Sequence, residues 1–177
     1  MSLFRHAVFL RGVMPGGKNA VKMDALREAP EKHGLADVRS WIQNGNIALA
    51  SADDAATIAT RVHDILQREL GVDLAVIVKN AAQLTAILAE QPFPDADPAR
   101  VFYTLANDVP DAAYLAAALA EDFGDSQLAA GKHALYMHIP GDASRSKLSN
   151  NALEKRLRIA LTTRNRNTLA KMLELVS

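Results

Sequence analysis

The chain has 177 residues, a formal net charge of zero and 49% hydrophobic residues. That length suits one large domain or two small ones, and high apolar content with balanced charge excludes a mainly disordered chain. The absence of cysteine excludes disulfides, thiolate metal sites and cysteine nucleophiles. No apolar run reaches the length of a membrane helix, and the stretch Ala7–Leu10 is too short for a signal-peptide core. The expectation is a soluble cytoplasmic protein with no membrane partner.

In chain order, His6–Arg11 reads as a strand, with Ala7-Val8-Phe9-Leu10 as its apolar run. A Gly/Pro loop spans Gly12 to Asn19. Residues 21–33 look helical, with Val21, Ala25, Leu26 and Ala29 on one stripe; Pro30 should kink or shorten that helix, and Gly34 is a C-terminal stop. Val38–Gln43, Asn44-Gly45 and Asn46–Ala50 read as a hairpin with a two-residue type I′ turn. That turn pairs Gln43 with Asn46, Ile42 with Ile47 and Trp41 with Ala48. Ile42 and Ile47 then face the core, while Arg39, Trp41, Gln43 and Asn46 share the other face. Residues 53–70 form a patterned helix with Asp53 or Asp54 as cap, the stripe Ile58, Val62, Ile65, Leu66 and Leu70, and Gly71 as its end. Val72–Lys79 is a buried-type strand. The order so far is β-α-β-β-α-β, that of a ferredoxin-like unit.

A short helix at about 81–90 leads to the loop Pro92–Pro98, the best linker in the chain. The order then repeats. Val101–Ala106 is a strand and Asp111–Glu121 a helix. Gln127–Ala130 and Ala134–Ile139 make a hairpin around Gly131-Lys132-His133. Residues 147–158 are helical with Leu148, Ala152, Leu153 and Leu157 inward, Ile159–Thr162 is a weak strand, and residues 165–176 form a last helix. The predicted fold is α+β: two tandem ferredoxin-like (βαββαβ) units with mainly antiparallel sheets, residues 1–92 and 93–177.

Charge is uneven along the chain. Residues 80–130 carry eight acids and one base, and residues 144–177 carry eight bases and two acids. Such asymmetry marks either an anion-binding surface or a solvated face. Gly12-Val13-Met14-Pro15-Gly16-Gly17-Lys18-Asn19 has the form G-x-x-x-x-G-K between a strand and a helix, the setting of a phosphate-binding loop. There, backbone N–H groups and a Lys cradle an anion at a helix N-terminus. Against a true nucleotide-hydrolase loop, Asn19 supplies no hydroxyl for magnesium, Pro15 lacks an N–H, and the strand at 74–78 ends in Lys79-Asn80 rather than in a metal-binding Asp. The plainer reading is a Gly-rich turn that lets strand and helix pack closely.

Trp41 could stack on a base while Gln43 and Asn46 hydrogen-bond its edge, or it packs against the second unit and the amides brace neighbouring loops. Ser144-Arg145-Ser146-Lys147 and Thr162-Thr163-Arg164-Asn165-Arg166-Asn167-Thr168 each precede a predicted helix. Both put hydroxyls and cations where orphan N–H groups favour anions, or serve as ordinary caps. The histidines at 6, 33, 63, 133 and 138 have no zinc-site spacing, no serine sits in a nucleophile elbow, and no metal site is expected.

Four segments, LRGVMPGGKN at 10–19, WIQNGNIAL at 41–49, RSKLSNNALEKRL at 145–157 and TTRNRNTLAKM at 162–172, resemble the bacterial family catalogued as domain of unknown function 1697. The resemblance runs along nearly the whole chain and implies an α+β fold with two ferredoxin-like subdomains. It implies no cofactor, assigns no catalytic residue and weighs against the nucleotide-hydrolase reading. The chain departs from the family at Val13-Met14-Pro15, where Ile-Asn-Val is usual, and at Arg166, where Trp is usual; a guanidinium plane could still stack there.

Three functions compete. The first is a module holding a phosphate-bearing ligand, a nucleotide or nucleic acid, between the two α+β units, with Arg11, Lys18, Asn19, Trp41, Gln43, Asn46, Arg145, Lys147, Thr163, Arg164 and Asn165 as ligand-binding candidates. The second is a small enzyme on an acidic or phosphorylated metabolite, for which His6, His138 and the Thr162-Thr163 pair are the candidates for a base. The third is a structural or protein-partner domain in which the same polar motifs brace the two units against each other.

Overall fold

The computed structural model describes residues 1–13, 16–17 and 19–177; Met14, Pro15 and Lys18 of the predicted phosphate loop lie outside the described residues. The elements are β1 (Phe4–Leu10), α1 (Met23–Lys32), β2 (Ala36–Trp41), β3 (Asn46–Ser51), α2 (Ala55–Leu70), β4 (Val76–Lys79), α3 (Ala81–Ala89), β5 (Val101–Leu105), α4 (Ala112–Leu119), β6 (Gln127–Ala130), β7 (Leu135–His138), α5 (Asn150–Leu157), β8 (Thr162–Asn165) and α6 (Arg166–Val176). Two four-stranded antiparallel sheets result, ordered β2-β3-β1-β4 and β6-β7-β5-β8. Both have the same internal order, so βαββαβ occurs twice in an α+β protein, each copy followed by one further helix. The chain divides into two compact units, Met1–Leu84 with Ala170–Ser177, and Thr85–Leu169. No helix among the described residues is long and apolar enough to cross a membrane.

In the first unit, alternation along β1 sends Val8 and Leu10 to one face, level with Ile47 and with Val78 and Val76 of the flanking strands. Leu26 of α1 and Ile58, Val62, Ile65 and Leu66 of α2 close this core. The spacing of those four α2 positions is that of one helical face. Asp54 accepts from Thr57 N at 2.8 Å to start α2, and Gly71 ends it at φ +67°. The opposite face of the sheet is buried too, with Ala7, Phe9, Ala48 and Ile77 almost fully covered. Sheets buried on both faces need unbroken apolar runs, which is why Ala7-Val8-Phe9-Leu10 and Val76-Ile77-Val78 carry no alternation.

The hairpin differs from its predicted register. Trp41 pairs with Asn46, Ser40 with Ile47 and Arg39 with Ala48. A type I′ turn needs positive φ at both central residues. Here Ile42 (φ +49°) and Gly45 (φ +74°) take the left-handed region and Asn44 does not. The connection is therefore the four residues 42–45, and Ile42, predicted inward, is 46% exposed. Trp41, Arg39 and Asn46 still share one face, because the slip is by two residues.

Three other boundaries move. Strand pairing of β4 begins at Val76 rather than Val72, since its partner β1 ends at Leu10, and the bond from Arg11 N to Ala75 O (3.0 Å) continues it by one residue. α5 starts at Asn150 rather than 147, because Ser149 Oγ accepts from Ala152 N at 3.1 Å. The strand predicted at 159–162 is instead Thr162–Asn165. Leu161 cannot join the ladder: its N donates to Glu154 Oε2 (2.9 Å) and its O accepts from Asn150 Nδ2 (3.0 Å), both on α5.

The second unit packs Leu135 and Met137 of β7 against Ala118 of α4 and Leu153 and Leu157 of α5. On the other face of its sheet, the Tyr103 and Tyr136 rings meet edge-on with centroids 5.5 Å apart, a geometry worth ~0.5–1.5 kcal/mol beyond area burial.

Candidate functional site

In the first unit, the loop after β1 and the β2–β3 hairpin tip come together. Leu10 N donates to Gly45 O at 2.8 Å, and Val13 is buried against Gly45. Gly12 (φ +82°) and Gly16 (φ +72°) use the left-handed conformation open to glycine. The chain then enters α1 through Lys22, whose side chain makes no cap. The other five α-helices all have one: Asp54, Asn80, Asp111, Ser149 and Asn165 accept from N–H groups of α2, α3, α4, α5 and α6. The uncapped start of α1 opens on a depression of about 390 Å³ lined by Gly16, Ala20, Val21, Lys22, Met23 and Gln43. The acid in its first turn, Asp24, is ion-paired with Arg27, which also donates to Ser40 Oγ at 2.8 Å. Among the described residues that line the depression, Lys22 is the charged one, and the positive end of the helix dipole adds to it.

Of the residues singled out in the sequence, Gln43 lies in this depression, Asn19 is half-buried with its Nδ2 near Gly12, and Arg11 is half-buried at the root of the loop. Lys18 lies outside the described residues. Asn46 is fully buried and its Nδ2 donates to Trp41 O at 3.2 Å, so that amide braces the hairpin. Trp41 is half-buried, with Lys171 Nζ 5.2 Å from its ring centroid. Beside it Asp37 bridges Arg5 (2.6 Å) and Arg39 (3.0 Å), and these hydrogen bonds hold its carboxyl below the ordinary range.

The second-unit candidates have different surroundings. Thr162-Thr163-Arg164-Asn165 is a strand and not the approach to a helix; only Asn165 caps, accepting from Thr168 N at 2.9 Å. Thr163 Oγ1 donates to Asn150 Oδ1 (2.9 Å) and lies 2.8 Å from Thr104 Oγ1. Arg164 Nη1 donates to Thr162 Oγ1 (2.6 Å) and Thr163 O (3.0 Å), and burial lowers its pKa to about 10. Arg145 and Lys147 are exposed near a single 3₁₀ turn, Ala143–Arg145, with Arg145 3.6 Å from Asp142. That turn is capped by Asp142, and Ser149, not this segment, caps α5.

Two features went unread in the sequence. Lys22 had a signal: no Ser, Thr, Asp or Asn stands just before Met23. Glu90 had none. Its carboxylate accepts from His133 N (2.8 Å), Lys132 N (3.1 Å) and Tyr136 Oη (2.8 Å), clasping the β6–β7 turn. Of the three candidate bases, His138 Nδ1 is 3.4 Å from Gln127 Oε1 and its ring lies 5.5 Å from Phe93, Thr162 and Thr163 bond within the second unit, and His6 is buried.

These features describe an α+β protein in which the βαββαβ order occurs twice, with a mainly apolar depression, carrying Lys22 and Gln43, at the start of α1. The chain belongs to the family described as protein of unknown function (DUF1697), whose model matches residues 3–136. It is also similar in structure to a conserved bacterial protein from Streptococcus pneumoniae, with 23% identity, a TM-score of 0.78, and coverage of 99% of this chain and 100% of that one. A search of curated proteins finds no match.

Proposed function

We propose that the protein is a cytoplasmic binding module that holds a phosphate-bearing ligand in the first unit, at the start of α1. The observation that carries this reading is the uncapped N-terminus of α1, opening on a depression that Lys22 and Gln43 line. Unsatisfied N–H groups, a helix dipole and a lysine favour an anion at such a place. The volume, about 390 Å³, suits a small ligand, so a nucleotide fits better than an extended nucleic acid. Arg11, Lys18 and Asn19 fall in the segment of sequence that leads from β1 to α1.

Thermal unfolding at low salt tests it, with inorganic phosphate, mononucleotides and single-stranded DNA and RNA as probes. A ligand at a hundred times its Kd adds ~2.7 kcal/mol of stability. Lys22→Ala and Gln43→Ala should each weaken the responding ligand about tenfold, the loss of ~1.4 kcal/mol. A steep salt dependence would assign the response to nucleic acid. No shift from any probe, or an undiminished shift in Lys22→Ala, would remove the reading.

A structural role fits the second-unit motif better, because Thr163, Arg164 and Asn165 each make hydrogen bonds that tie that unit together. Arg164→Ala should cost ~2–3 kcal/mol, the worth of hydrogen bonds to a charged group, and leave ligand affinity unchanged. Urea unfolding followed by tyrosine absorbance measures it; an unaltered midpoint would count against the role.

A further inference from the structure

We propose that His6 makes the first unit an acid-sensitive switch: protonation of its buried ring opens the end of the sheet where the start of β1, the end of β3 and the start of α2 lie. His6 lies near the start of β1, opposite Leu49 of β3, and alternation puts it on the core face with Val8 and Leu10. It is 8% exposed, and both ring nitrogens are buried with no hydrogen-bond partner. A neutral imidazole tolerates this at the cost of one unpaired N–H donor and one unpaired acceptor nitrogen. An imidazolium has two N–H donors and a charge, and burying it unpaired costs far more.

Little nearby compensates that charge. On β1, Arg5 pairs opposite Ala50 and so points to the other face, where Asp37 holds it. On β4, Lys79 pairs opposite Ala7 and also points away. On β3, Leu49 and Ser51 are uncharged. The β3–α2 connection brings Asp53, whose field favours the protonated ring, but that carboxylate is already ion-paired with Arg61 of α2. Burial outweighs it, and the His6 pKa is lowered.

The direction of the pH effect follows. Above pH 6.5, the ordinary histidine value, the ring is neutral both folded and unfolded. Below it the unfolded chain takes up a proton that the folded unit refuses, so stability falls as pH falls, until the lowered folded pKa is passed. The folding equilibrium constant drops by up to about tenfold per pH unit in that window. His63 of α2 acts oppositely: Asp73 (2.7 Å) and Asp64 raise its pKa, so it stabilises the acid side and loses that contribution as pH rises through its folded value. Comparing variants at position 6 leaves the His63 effect in both.

The test is unfolding of the full chain from pH 7.5 to 5, followed by Trp41 fluorescence, with amide exchange of β1 as the local readout. The wild type should lose up to about tenfold in folding equilibrium constant per pH unit below 6.5, and His6→Phe and His6→Leu should lose less by that factor. The β1 amides should lose protection over the same range in the wild type only. An acid loss in both variants as large as that of the wild type overturns the proposal. Should neither variant fold, NMR titration of the His6 ring in the wild type decides: a pKa well below 6.5 supports the switch, and one at or above it overturns it.

Discussion

Replacing Gly45 by alanine should unfold the first unit more readily than any other single methyl addition in the hairpin, with a loss of ~2–4 kcal/mol. Two costs add. Gly45 has φ +74°, where an L-residue with a Cβ pays ~1–2 kcal/mol. The added Cβ would also stand 2.8 Å from Leu10 Cβ and 2.9 Å from Val13 Cγ2. Leu10 Cβ is fixed to the backbone of a buried strand, so no rotamer change relieves it, and overpacking of that kind costs ~1–3 kcal/mol. Because Trp41 is the chain's one tryptophan and sits beside this turn, its fluorescence reads the loss directly. Gly16→Ala supplies the contrast: its φ is also positive at +72°, but its Cβ meets nothing within 4 Å, so it should cost only the conformational part. Equal losses in the two variants would mean that the hairpin tip is not wedged against β1. The same wedge shapes the proposed ligand site, since the bond from Leu10 N to Gly45 O ties the phosphate-type loop to the hairpin carrying Gln43. Gly45→Ala should therefore weaken the phosphate response as well as the fold.

What the sequence discloses and what it hides divide along the range of the interactions. The stripe Ile58, Val62, Ile65 and Leu66 with Asp54 before it and Gly71 after it is local, and α2 runs within two residues of its predicted bounds. The doubled element order is a string of such local signals, and both sheets follow it. The hairpin register is not local. Asn44-Gly45 alone asks for a two-residue turn, but Gly45 O is held by Leu10, thirty-five positions away, and the loop opens to four residues. Likewise Thr162-Thr163-Arg164-Asn165 looks like a helix approach until Asn150 and Glu154 capture the backbone of Leu161 and leave the next four residues to pair with β5. The candidate site shows the same split. Gly12, Gly16 and Gln43 announce themselves by type and spacing, whereas the amide of Asn46 turns out to be spent on Trp41 O within its own hairpin. The neighbour of Trp41 is Lys171, from the last helix, which no window of sequence could supply.

Glu90 is the extreme of that hidden class, and removing its carboxylate should be the largest polar loss in the second unit. Its partners are more than forty positions away: His133 N, Lys132 N and Tyr136 Oη, the last also 2.7 Å from Ile87 O. Three donors on one ionised carboxylate, each bond worth ~1.5–3 kcal/mol before coupling and exposure are discounted, make ~2–4 kcal/mol a fair expectation for Glu90→Ala. Glu90→Gln is the sharper probe. A glutamine keeps one acceptor oxygen and turns an N–H₂ toward a backbone N–H, so part of the clasp must break although volume is unchanged. Partial burial pushes the Glu90 pKa up, but the bonds from His133, Tyr136 and Lys132 together outweigh it, and the folded value lies below the ordinary 4.5. The carboxylate therefore contributes stability at every pH above its unfolded value and loses it as pH falls through the lowered folded value. The gap between wild type and Glu90→Gln should be constant from pH 8 to about 5 and close below about 4.5. Tyrosine absorbance isolates this unit, because Tyr103, Tyr114 and Tyr136 all belong to it and Trp41 does not. The acid limb seen through the tyrosines should thus begin near the carboxylate range, while the limb seen through Trp41 begins near pH 6.5, where His6 is at work. A single coincident limb for both probes would show that the two units unfold together, and Glu90→Gln would then shift both signals by the same amount.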